Sequence, residues 1–287
     1  MSSQTQVGSV LVVIPTYNEI DNLAKITGRI LSANDGVDIL IVDDNSPDGT
    51  GRLADELSSA SERISVLHRP GKSGIGNAYR AGFGWGLRAG YEFLVEMDGD
   101  GSHRPEQLPA LLAGARTADV VLGSRWVAGG GAANWAFRRQ LLSRAGSFYA
   151  RIALALPFRD ITGGYRVFRS TALTALGYQG VEAQGYCFQI EMLWRAREAG
   201  LHIVEVPIDF AERLSGSSKM SLSIVLEAVS RVTIWGLGDL PARIRGAGRR
   251  RTGRPDVGAS LLSDGTNSDR APLHSGIAVV HSVDGRD

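Results

Sequence analysis

Short apolar runs alternate with helical patterns through the first half of the chain. The runs are rich in Val, Ile and Leu, as buried strands are; they are Val10–Ile14, Asp38–Val42, Ile64–Leu67, Glu92–Met97 and Val120–Gly123. Between them apolar residues recur at helical spacing, as Leu23, Ile26 and Ile30 do. Alternating strands and helices predict an α/β fold with a mainly parallel sheet flanked by helices.

The second half carries longer helical patterns and then loses them. Arg138–Leu156 predicts a helix with one apolar face, made by Leu141, Leu142, Ala145, Phe148 and Ile152. Val127–Phe137 predicts a flexible glycine-rich loop, Ile203–Phe210 a strand, and Ser221–Leu237 an amphipathic helix. We predict one domain over residues 1–242. For residues 243–287 we predict a tail that is first Arg-rich and then disordered.

Polar clusters follow the ends of three predicted strands. Pro15–Glu19 follows the first, Asp43–Thr50 the second, and Asp98–His103 follows the run that ends at Met97. Each cluster alone is also typical of a turn with a helix cap. Because open α/β sheets bind ligands at the carboxyl ends of their strands, the clusters together predict one polar rim. Its carboxylates can accept hydrogen bonds from a nucleobase or a ribose.

Asp98 and Asp100 stand two apart in a glycine-rich turn, so their carboxylates can converge on one cation. Hard oxygen ligands favour Mg²⁺ or Mn²⁺. A calcium loop would require a glutamate where the chain has Pro109. A plain loop is the remaining alternative. His103 is interpreted as a hydrogen-bonding loop residue rather than a ligand.

The net charge of +1 conceals a segregation of sign along the chain. Counting Lys, Arg, Asp and Glu, residues 1–120 sum to −6, residues 121–254 to +10 and residues 255–287 to −3. An acidic front half suits a metal, and a basic second half suits a phosphorylated or membrane-bound partner. The single cysteine, Cys187, is interpreted as a small core residue and favours a reducing compartment. No signal peptide or membrane-spanning run is apparent, so we expect a cytoplasmic protein.

An ordered series of motifs resembles the family 2 glycosyltransferases, and among them the dolichol- or polyprenol-phosphate mannose synthases. The matching segments are VVIPTYNE, IVDDNSPDGT, EMDGDGSHRPEQL, VLGSR, DITGGYRVFR, YCFQIEML and RLSGSSKMS. The resemblance implies a nucleotide-sugar-binding fold of the GT-A type and a single catalytic domain. It also implies inverting, metal-dependent transfer of mannose from GDP-mannose to a polyprenyl monophosphate, as a β-mannosyltransferase, with Mg²⁺ or Mn²⁺ as cofactor.

The resemblance also implies the donor and metal residues. The donor-binding set would be Pro15, Tyr17, Glu19, Asp44, Lys72, Asp98 and Asp100. Asp98 and Asp100 match the metal-linked pair, and Asp98, Asp100 and Arg125 are the expected catalytic residues. Ser102 stands where the family often has Gln; its shorter oxygen puts a ligand position there in doubt. Gly99 stands where the family often has Ala.

The acceptor and sugar residues follow from the same resemblance. Arg125, Arg139, Ser143, Arg213 and Lys219 would hold phosphate, and Arg139 and Ser143 are four apart on one predicted helix. For each arginine the alternative is a solvated surface charge. The sugar pocket would be lined by Thr162, Gly163, Gly164, Gln189 and Glu191. The last two would share a face in a strand but not in a helix.

A lipid acceptor raises the question of membrane contact. The 221–237 helix is expected either to pack on the core or to lie at the interface. The cluster Arg243–Arg254 would attract anionic lipid, bind a membrane partner protein, or face only water. We expect a peripheral protein at the cytoplasmic face of the membrane, with GDP-mannose and a polyprenyl phosphate as substrates.

Other classes fit less well. A dinucleotide-dependent dehydrogenase needs a G-x-G-x-x-G turn where this chain has PTYNE. Gly71–Gly76 lacks the spacing of a phosphate-binding P-loop, and no nucleic-acid module is expected because aromatic residues do not interleave with the Arg tail. Two alternatives stay open. One is a related transferase that uses UDP-glucose or another donor, and the other is a non-catalytic scaffold that binds a nucleotide sugar.

Overall fold

A computed structural model describes residues 8–132, 135, 137–211 and 228–238, without the side chains of Arg139 and Tyr186. The strands are β1 Val10–Thr16, β2 Val37–Asp43, β3 Ile64–His68, β4 Phe93–Glu96, β5 Val120–Ser124, β6 Gly131–Ala132, β7 Arg166–Arg169, β8 Ile203–Pro207 and β9 Asp209–Phe210. The helices are α1 Ile20–Ala33, α2 Thr50–Ala60, α3 Ile75–Arg88, α4 Leu108–Ala115, α5 Phe137–Ala153, α6 Ser170–Leu176 and α7 Tyr186–Glu198. Residues 228–238 are also helical, and we call them α8.

Most strands lie in one sheet, in the order β3-β2-β1-β4-β7-β5-β8. The pairs of β1 with β2 and β4, of β2 with β3, and of β5 with β8 are parallel. β7 is antiparallel to both of its neighbours, β4 and β5. Its first residue, Arg166, therefore lies at the edge where the parallel strands end. β6 and β9 form a small separate sheet.

The sheet is covered on both faces, as parallel sheets generally are. Side chains of β1 alternate between the two cores: Val12 and Ile14 pack with α1 and α4, while Leu11 and Val13 pack with α3 and α7. The strands are therefore apolar on both sides, which explains their continuous apolar runs. The predicted α/β fold with a mainly parallel, helix-flanked sheet is confirmed.

One predicted strand differs from the structure, and one strand of the structure was not predicted. The predicted strand Ile203–Phe210 is divided between the two sheets: after Pro207, the Ile208 carbonyl accepts a hydrogen bond from Gly131 N at 2.9 Å, and β9 pairs with β6. Ile208 N still donates to Ser124 O of β5 at 3.0 Å, and beyond that bond the chain pairs with the small sheet instead. β7 had no prediction, because charged arginines bound its two apolar residues.

The apolar face predicted for the Arg138–Leu156 helix exists, and most of it faces outward. Leu141, Leu142, Phe148 and Ile152 are all exposed, Phe148 and Ile152 by 63% each. Ala150 and Leu154 pack into the core instead. Helical spacing reports that a helix is two-sided, and it does not say which side meets the protein.

The last predicted helix is described only in part. Residues 221–227 lie outside the described residues, and 228–238 are helical as predicted. Val232 is buried and Trp235 stacks on Trp194 with ring centroids 5.7 Å apart, so α8 packs on the core by one side. Tyr149 Oη and Thr233 Oγ1 lie 2.5 Å apart, which joins α8 to α5. Within the described ranges no helix is both long and apolar enough to cross a membrane. The 243–287 tail lies outside the described residues.

Candidate active site

The three polar clusters meet at one edge of the sheet. Thr16 at the end of β1 pairs in register with Asp43 at the end of β2, and β4 ends beside β1, two residues before Asp98. Because β7 runs the other way, the Thr162–Gly164 turn that precedes it reaches the same edge. The sheet thus brings together sequence segments more than a hundred residues apart, through parallel pairs for the three clusters and an antiparallel strand for the Thr162–Gly164 turn.

The β2 cluster contains one structural carboxylate and one that faces a cation. Asp43 accepts hydrogen bonds from Thr16 Oγ1 at 3.1 Å and from Ser46 Oγ at 2.6 Å, which fixes the loop. Asp44 Oδ1 accepts a 2.6 Å bond from Arg69 Nη1. Burial raises the pKa of Asp44, and the Arg69 charge opposes that rise. Sequence reasoning missed Arg69; its position directly after β3 was the available signal.

The β1 cluster carries the other predicted donor residues. Glu19 Oε2 accepts a 2.9 Å bond from Asn22 Nδ2, and Glu19 N donates to Thr50 Oγ1 at 3.0 Å. Helix α1 begins after Glu19, whose carbonyl accepts the first helical hydrogen bonds from Asn22 N and Leu23 N. The Nζ atom of Lys72 lies 4.2 Å from the centre of the Tyr17 ring. Pro15, Tyr17, Glu19 and Lys72 thus lie in one region, with Asp44 in the adjoining loop.

The Asp98–His103 turn is tightly bonded. Ser102 N and Ser102 Oγ donate to Asp100 Oδ1 at 3.0 and 2.6 Å. Gly101 has φ +77°, a conformation that favours glycine. Asp98 N donates to His103 Nδ1 at 3.0 Å, so the neutral ring carries its proton on Nε2. Burial lowers the pKa of His103 to about 4, so the ring is neutral and accepts the bond from Asp98 N as a hydrogen-bonding loop residue.

This turn fits a divalent cation that is shared with a diphosphate. Asp98 and Asp100 supply two carboxylates, and Tyr79 Oη donates to Asp98 Oδ1 at 3.3 Å. Among the described residues no group of three His, Cys, Asp or Glu side chains forms a closed protein cage. Mg²⁺ is commonly held by one or two carboxylates together with substrate phosphates, so the donor set suits that mode. The Ser102 hydroxyl donates to Asp100, which makes it a residue that orients a ligand.

A fully buried carboxyl group lies beneath the turn and was missed from the sequence. Glu96 is 0% exposed and pairs in register with Arg166 of β7. Burial raises its pKa to about 8, although the charge of Arg166 opposes the rise. At neutral pH the group is therefore mainly protonated. In the sequence Glu96 is one residue of a predicted strand, and no local pattern indicates that its side chain is buried.

Arg125, a predicted phosphate contact, is paired with a carboxylate in the structure. Its Nε donates to Asp160 Oδ2 at 2.6 Å and its Nη2 to Asp160 Oδ1 at 2.7 Å. Nη2 also donates to Thr162 Oγ1 at 3.1 Å. Both charged groups are buried, and the guanidinium carbon lies 5.3 Å from the ring centre of Trp135. In this arrangement Arg125 holds the loop that leads to the predicted sugar pocket.

That loop is fixed from beneath by Arg166. The guanidinium group donates to the carbonyls of Gly163 at 2.8 Å, Gln189 at 2.7 Å and Ile161 at 2.7 Å. A Cβ atom on Gly163 would lie 3.1 Å from Gly123 O, so glycine permits the close approach to β5. The predicted Thr162–Gly164 segment is therefore rigidly placed at the strand ends.

Gln189 and Glu191 lie on α7, so they do not share a face. Gln189 Nε2 lies 3.6 Å from the position of a Cβ atom on Gly164, beside the predicted sugar pocket. Glu191 accepts hydrogen bonds from Ala183 N at 3.1 Å and from Arg195 Nε at 2.8 Å. Its described contacts are those of a residue that stabilises α7. Cys187 on the same helix is buried, as predicted.

The predicted acceptor residues are described unevenly. Ser143 lies half-buried on α5, and Arg139 belongs to the same helix, one turn earlier. Arg213 and Lys219 lie outside the described residues. Ser147, one turn after Ser143, is buried, with its Oγ 3.5 Å from Thr162 Oγ1. α5 therefore borders the Thr162–Gly164 turn, and its role in acceptor binding stays a prediction.

The fold is the GT-A fold of glycosyltransferases. Similar solved structures include glucosyl-3-phosphoglycerate synthase from Mycobacterium tuberculosis in complex with Mn²⁺, UDP and glucosyl-3-phosphoglycerate. That structure has a TM-score of 0.55 and 21% identity, and covers 88% of this chain and 83% of its own. At this identity the likeness shows the fold alone.

Residues 11–177 match the model of glycosyl transferase family 2, and the chain belongs to that family. It is 54% identical to the undecaprenyl-phosphate mannosyltransferase of Micrococcus luteus over 228 residues, which is 79% of this chain and 94% of that protein. It is 51% identical to the polyprenol monophosphomannose synthase of Mycolicibacterium smegmatis over 241 residues, 83% of this chain and 91% of that protein. The family expected from the motifs is confirmed.

Proposed function

We propose that this protein transfers mannose from GDP-mannose to a polyprenyl monophosphate, with inversion, and forms a β-linked polyprenyl-phosphate mannose. The observation that carries the proposal is the 54% identity with an undecaprenyl-phosphate mannosyltransferase over 94% of that relative's length. Three of the motifs that resemble mannose synthases, at Pro15–Glu19, Asp43–Thr50 and Asp98–His103, lie at or just after the ends of β1, β2 and β4, and this agreement supports the same substrates here.

The donor would lie across the ends of β1, β2 and β4. Tyr17, Glu19 and Asp44 would contact the guanosine, with Pro15 and Lys72 at its border. A carboxylate such as Asp44 can accept the N–H groups on one edge of guanine. Arg69 already bonds to Asp44, so it sets the orientation in which that carboxylate would meet the base.

The diphosphate would lie over the Asp98–His103 turn. Asp98 and Asp100 would hold Mg²⁺ or Mn²⁺, which when bound offsets the negative charge that grows on the departing GDP. Ser102 orients Asp100 through two hydrogen bonds, and Tyr79 donates to Asp98. These bonds hold both carboxylates in place before the donor arrives, which is how preorganised electrostatic stabilisation works.

The acceptor would attack without a strong general base. A phosphate monoester has a second pKa of about 6, so at neutral pH its oxygens are already largely ionised. His103 is buried with Nδ1 engaged, and Glu96 is buried beneath the turn. Neither is placed as a proton acceptor. One direct displacement at the anomeric carbon inverts its configuration.

The lipid tail would approach along α5. Its exposed apolar residues, Leu141, Leu142, Phe148 and Ile152, share the helix with the exposed arginines Arg138, Arg144 and Arg151. Apolar and basic side chains together are typical of helices that lie on anionic membranes. A peripheral position on the cytoplasmic face, direct or through a membrane partner protein, is part of the proposal.

The test is a transfer assay with donors in separate reactions. The full-length chain would be incubated with labelled GDP-mannose or labelled UDP-glucose, a polyprenyl monophosphate, and Mg²⁺ or Mn²⁺, and the lipid then extracted. Label in the organic phase from GDP-mannose is expected, and EDTA should remove it. If only UDP-glucose labels the lipid, the donor is UDP-glucose and not GDP-mannose. Bound donor without transfer to any lipid would favour a nucleotide-sugar scaffold.

A further inference from the structure

A cavity of about 620 Å³ lies beside α3, at the β3 edge of the sheet. Its lining includes Arg69, Arg80, Arg88 and Tyr178, and no Asp or Glu. Pockets for small ligands span about 300–1,000 Å³, so the volume suits a metabolite. One of these residues, Arg69, is bonded to a carboxylate outside the lining, because Arg69 Nη1 donates to Asp44 Oδ1.

The cavity arises from small residues on the outer face of α3. Arg80, Ala81, Gly84 and Arg88 follow helical spacing and line it, while the opposite face of the helix is buried. A Cβ atom on Gly84 would lie 3.3 Å from Tyr178 Oη and 3.4 Å from Arg88 Nη1. Ala81 and Gly84 thus leave a floor between the arginines, where larger side chains would fill the space.

The polar groups of the cavity are partly held in place and partly available. Arg80 donates from Nη1 to Gln179 O at 2.9 Å and from Nη2 to Asn77 Oδ1. Tyr178 is 6% exposed, and its hydroxyl accepts a 3.3 Å bond from Gln179 Nε2. Within the described part of the chain neither the Tyr178 O–H nor Arg88 has a recorded acceptor. The cavity therefore presents hydrogen-bond donors and positive charge.

We propose that this cavity binds a small phosphorylated metabolite at a site separate from the donor. Guanidinium groups match the geometry of phosphate oxygens and form charge-assisted bonds with them. Bound phosphate would also offset the charges of Arg80 and Arg88, whereas the charge of Arg69 is already paired with Asp44. The concave shape favours a soluble ligand. The exposed face of α5 is the surface assigned to lipid, and it lies on another element. The inference does not rest on the proposed transferase activity.

The test measures binding of inorganic pyrophosphate by calorimetry, with EDTA present so that the Asp98–Asp100 turn cannot bind it through a metal. The wild-type chain should show saturable binding. Arg88→Gln removes one charge and Ala81→Leu fills the cavity without a charge change; each should weaken binding by about tenfold or more. Arg197→Gln, an exposed arginine paired with Glu198, is the matched control and should not change it.

Three results would overturn the proposal. The first is that the wild-type chain shows no saturable binding. The second is that Arg88→Gln and Arg197→Gln change binding equally. The third is that Lys72→Gln abolishes binding while Arg88→Gln and Ala81→Leu leave it unchanged. The last would assign the pyrophosphate to the donor region. Circular dichroism of each variant would show that it is folded, and the two cavity variants act by different physical means, so a folding defect in one leaves the other as a test.

Discussion

At the scale of single residues, the strand-end site depends on carboxyl groups in unlike surroundings. Asp43 holds a loop, Asp44 bonds to Arg69, Asp100 is oriented by Ser102, and Glu96 is fully buried. All are acidic residues near strand ends. Their surroundings, and not their residue type, separate the structural groups from those available to a ligand.

Asp100→Asn should abolish transfer while the protein stays folded. The substitution removes the charge that would hold the cation and keeps the shape that Ser102 contacts. We expect a loss of at least about a hundredfold in kcat, as when one preorganised electrostatic group is removed. Steady-state assays with thermal unfolding would measure it. Asp35→Asn, at an exposed position, is the control and should retain wild-type turnover; near wild-type activity in Asp100→Asn would remove Asp100 from the site.

Glu96→Gln should change how stability depends on pH. Burial raises the pKa of Glu96 to about 8, above its value in the unfolded chain, so the folded state binds the extra proton. The contribution of this group to stability is full below the unfolded pKa and is lost as pH rises through about 8. One proton changes the slope by at most about 1.4 kcal/mol per pH unit.

Denaturant unfolding of the metal-free wild type and of Glu96→Gln, from acidic pH through neutral pH to above pH 8, would measure how their stabilities differ. The variant should lose less stability than the wild type as pH rises through that window. Parallel curves would show that Glu96 is ionised in the folded state. Any other titrating group is common to both proteins, so the difference curve reports Glu96 alone.

Asp160→Asn should destabilise the fold, because it leaves the buried Arg125 without its counter-charge. Breaking a buried ion pair by removing one partner costs about 3–5 kcal/mol. Glu198→Gln breaks an exposed pair with Arg197 and should cost less than about 1 kcal/mol. Chemical denaturation of both variants gives the comparison. Equal, small effects would mean that the Arg125–Asp160 pair is not a stabilising element of the loop.

At the scale of elements, α5 joins the site to the surface. Ser147, on its inner side, lies beside Thr162, while Phe148 and Ile152 face outward. The outer side is joined to α8 by the contact between Tyr149 and Thr233. A phosphate held at the inner side would therefore have its lipid chain directed toward an apolar surface.

Replacing Phe148 and Ile152 together by Ser should weaken membrane contact without altering the chemical step. Removing exposed apolar area lowers the free energy of insertion into the interface. Co-sedimentation with vesicles containing anionic lipid should fall, and the apparent KM for a long-chain acceptor should rise. The KM for a short, water-soluble polyprenyl phosphate should stay the same. A rise in both KM values would place these residues in the phosphate site instead of on the membrane face.

Across the whole molecule, the parallel strands could be predicted from the sequence, and the antiparallel strand β7 could not. Apolar runs predicted β1, β2, β3 and β5 to within a residue or two, because strands buried on both faces leave no polar alternation. β7 was missed because its pairing depends on β4 and β5, which lie far away in sequence. Arg69 and Glu96 were missed for a similar reason: their roles come from neighbours that only the folded chain supplies.

Motif order predicted the site more fully than any local pattern. The clusters at Pro15, Asp43 and Asp98 are ordinary turns when taken singly, and the sheet register makes them one rim. The pairing of Arg125 could not be read from spacing, since Asp160 belongs to another segment, whereas Arg195 stands four residues after Glu191 on the same helix. Helical spacing predicted the apolar face of α5 but not its outward direction, and the partner expected from the basic second half of the chain stays a prediction.

We propose that this site transfers mannose from GDP-mannose to a polyprenyl phosphate. A competition assay tests it most directly: GDP-mannose and UDP-glucose with different radiolabels, at equal concentration, compete for one limiting polyprenyl monophosphate in the presence of Mg²⁺. We expect the extracted lipid to carry the mannose label almost alone. With Asp100→Asn we expect neither the mannose label nor the glucose label in the lipid. Glucose label in the lipid in excess of mannose, or mannose transfer that survives Asp100→Asn unchanged, would contradict it.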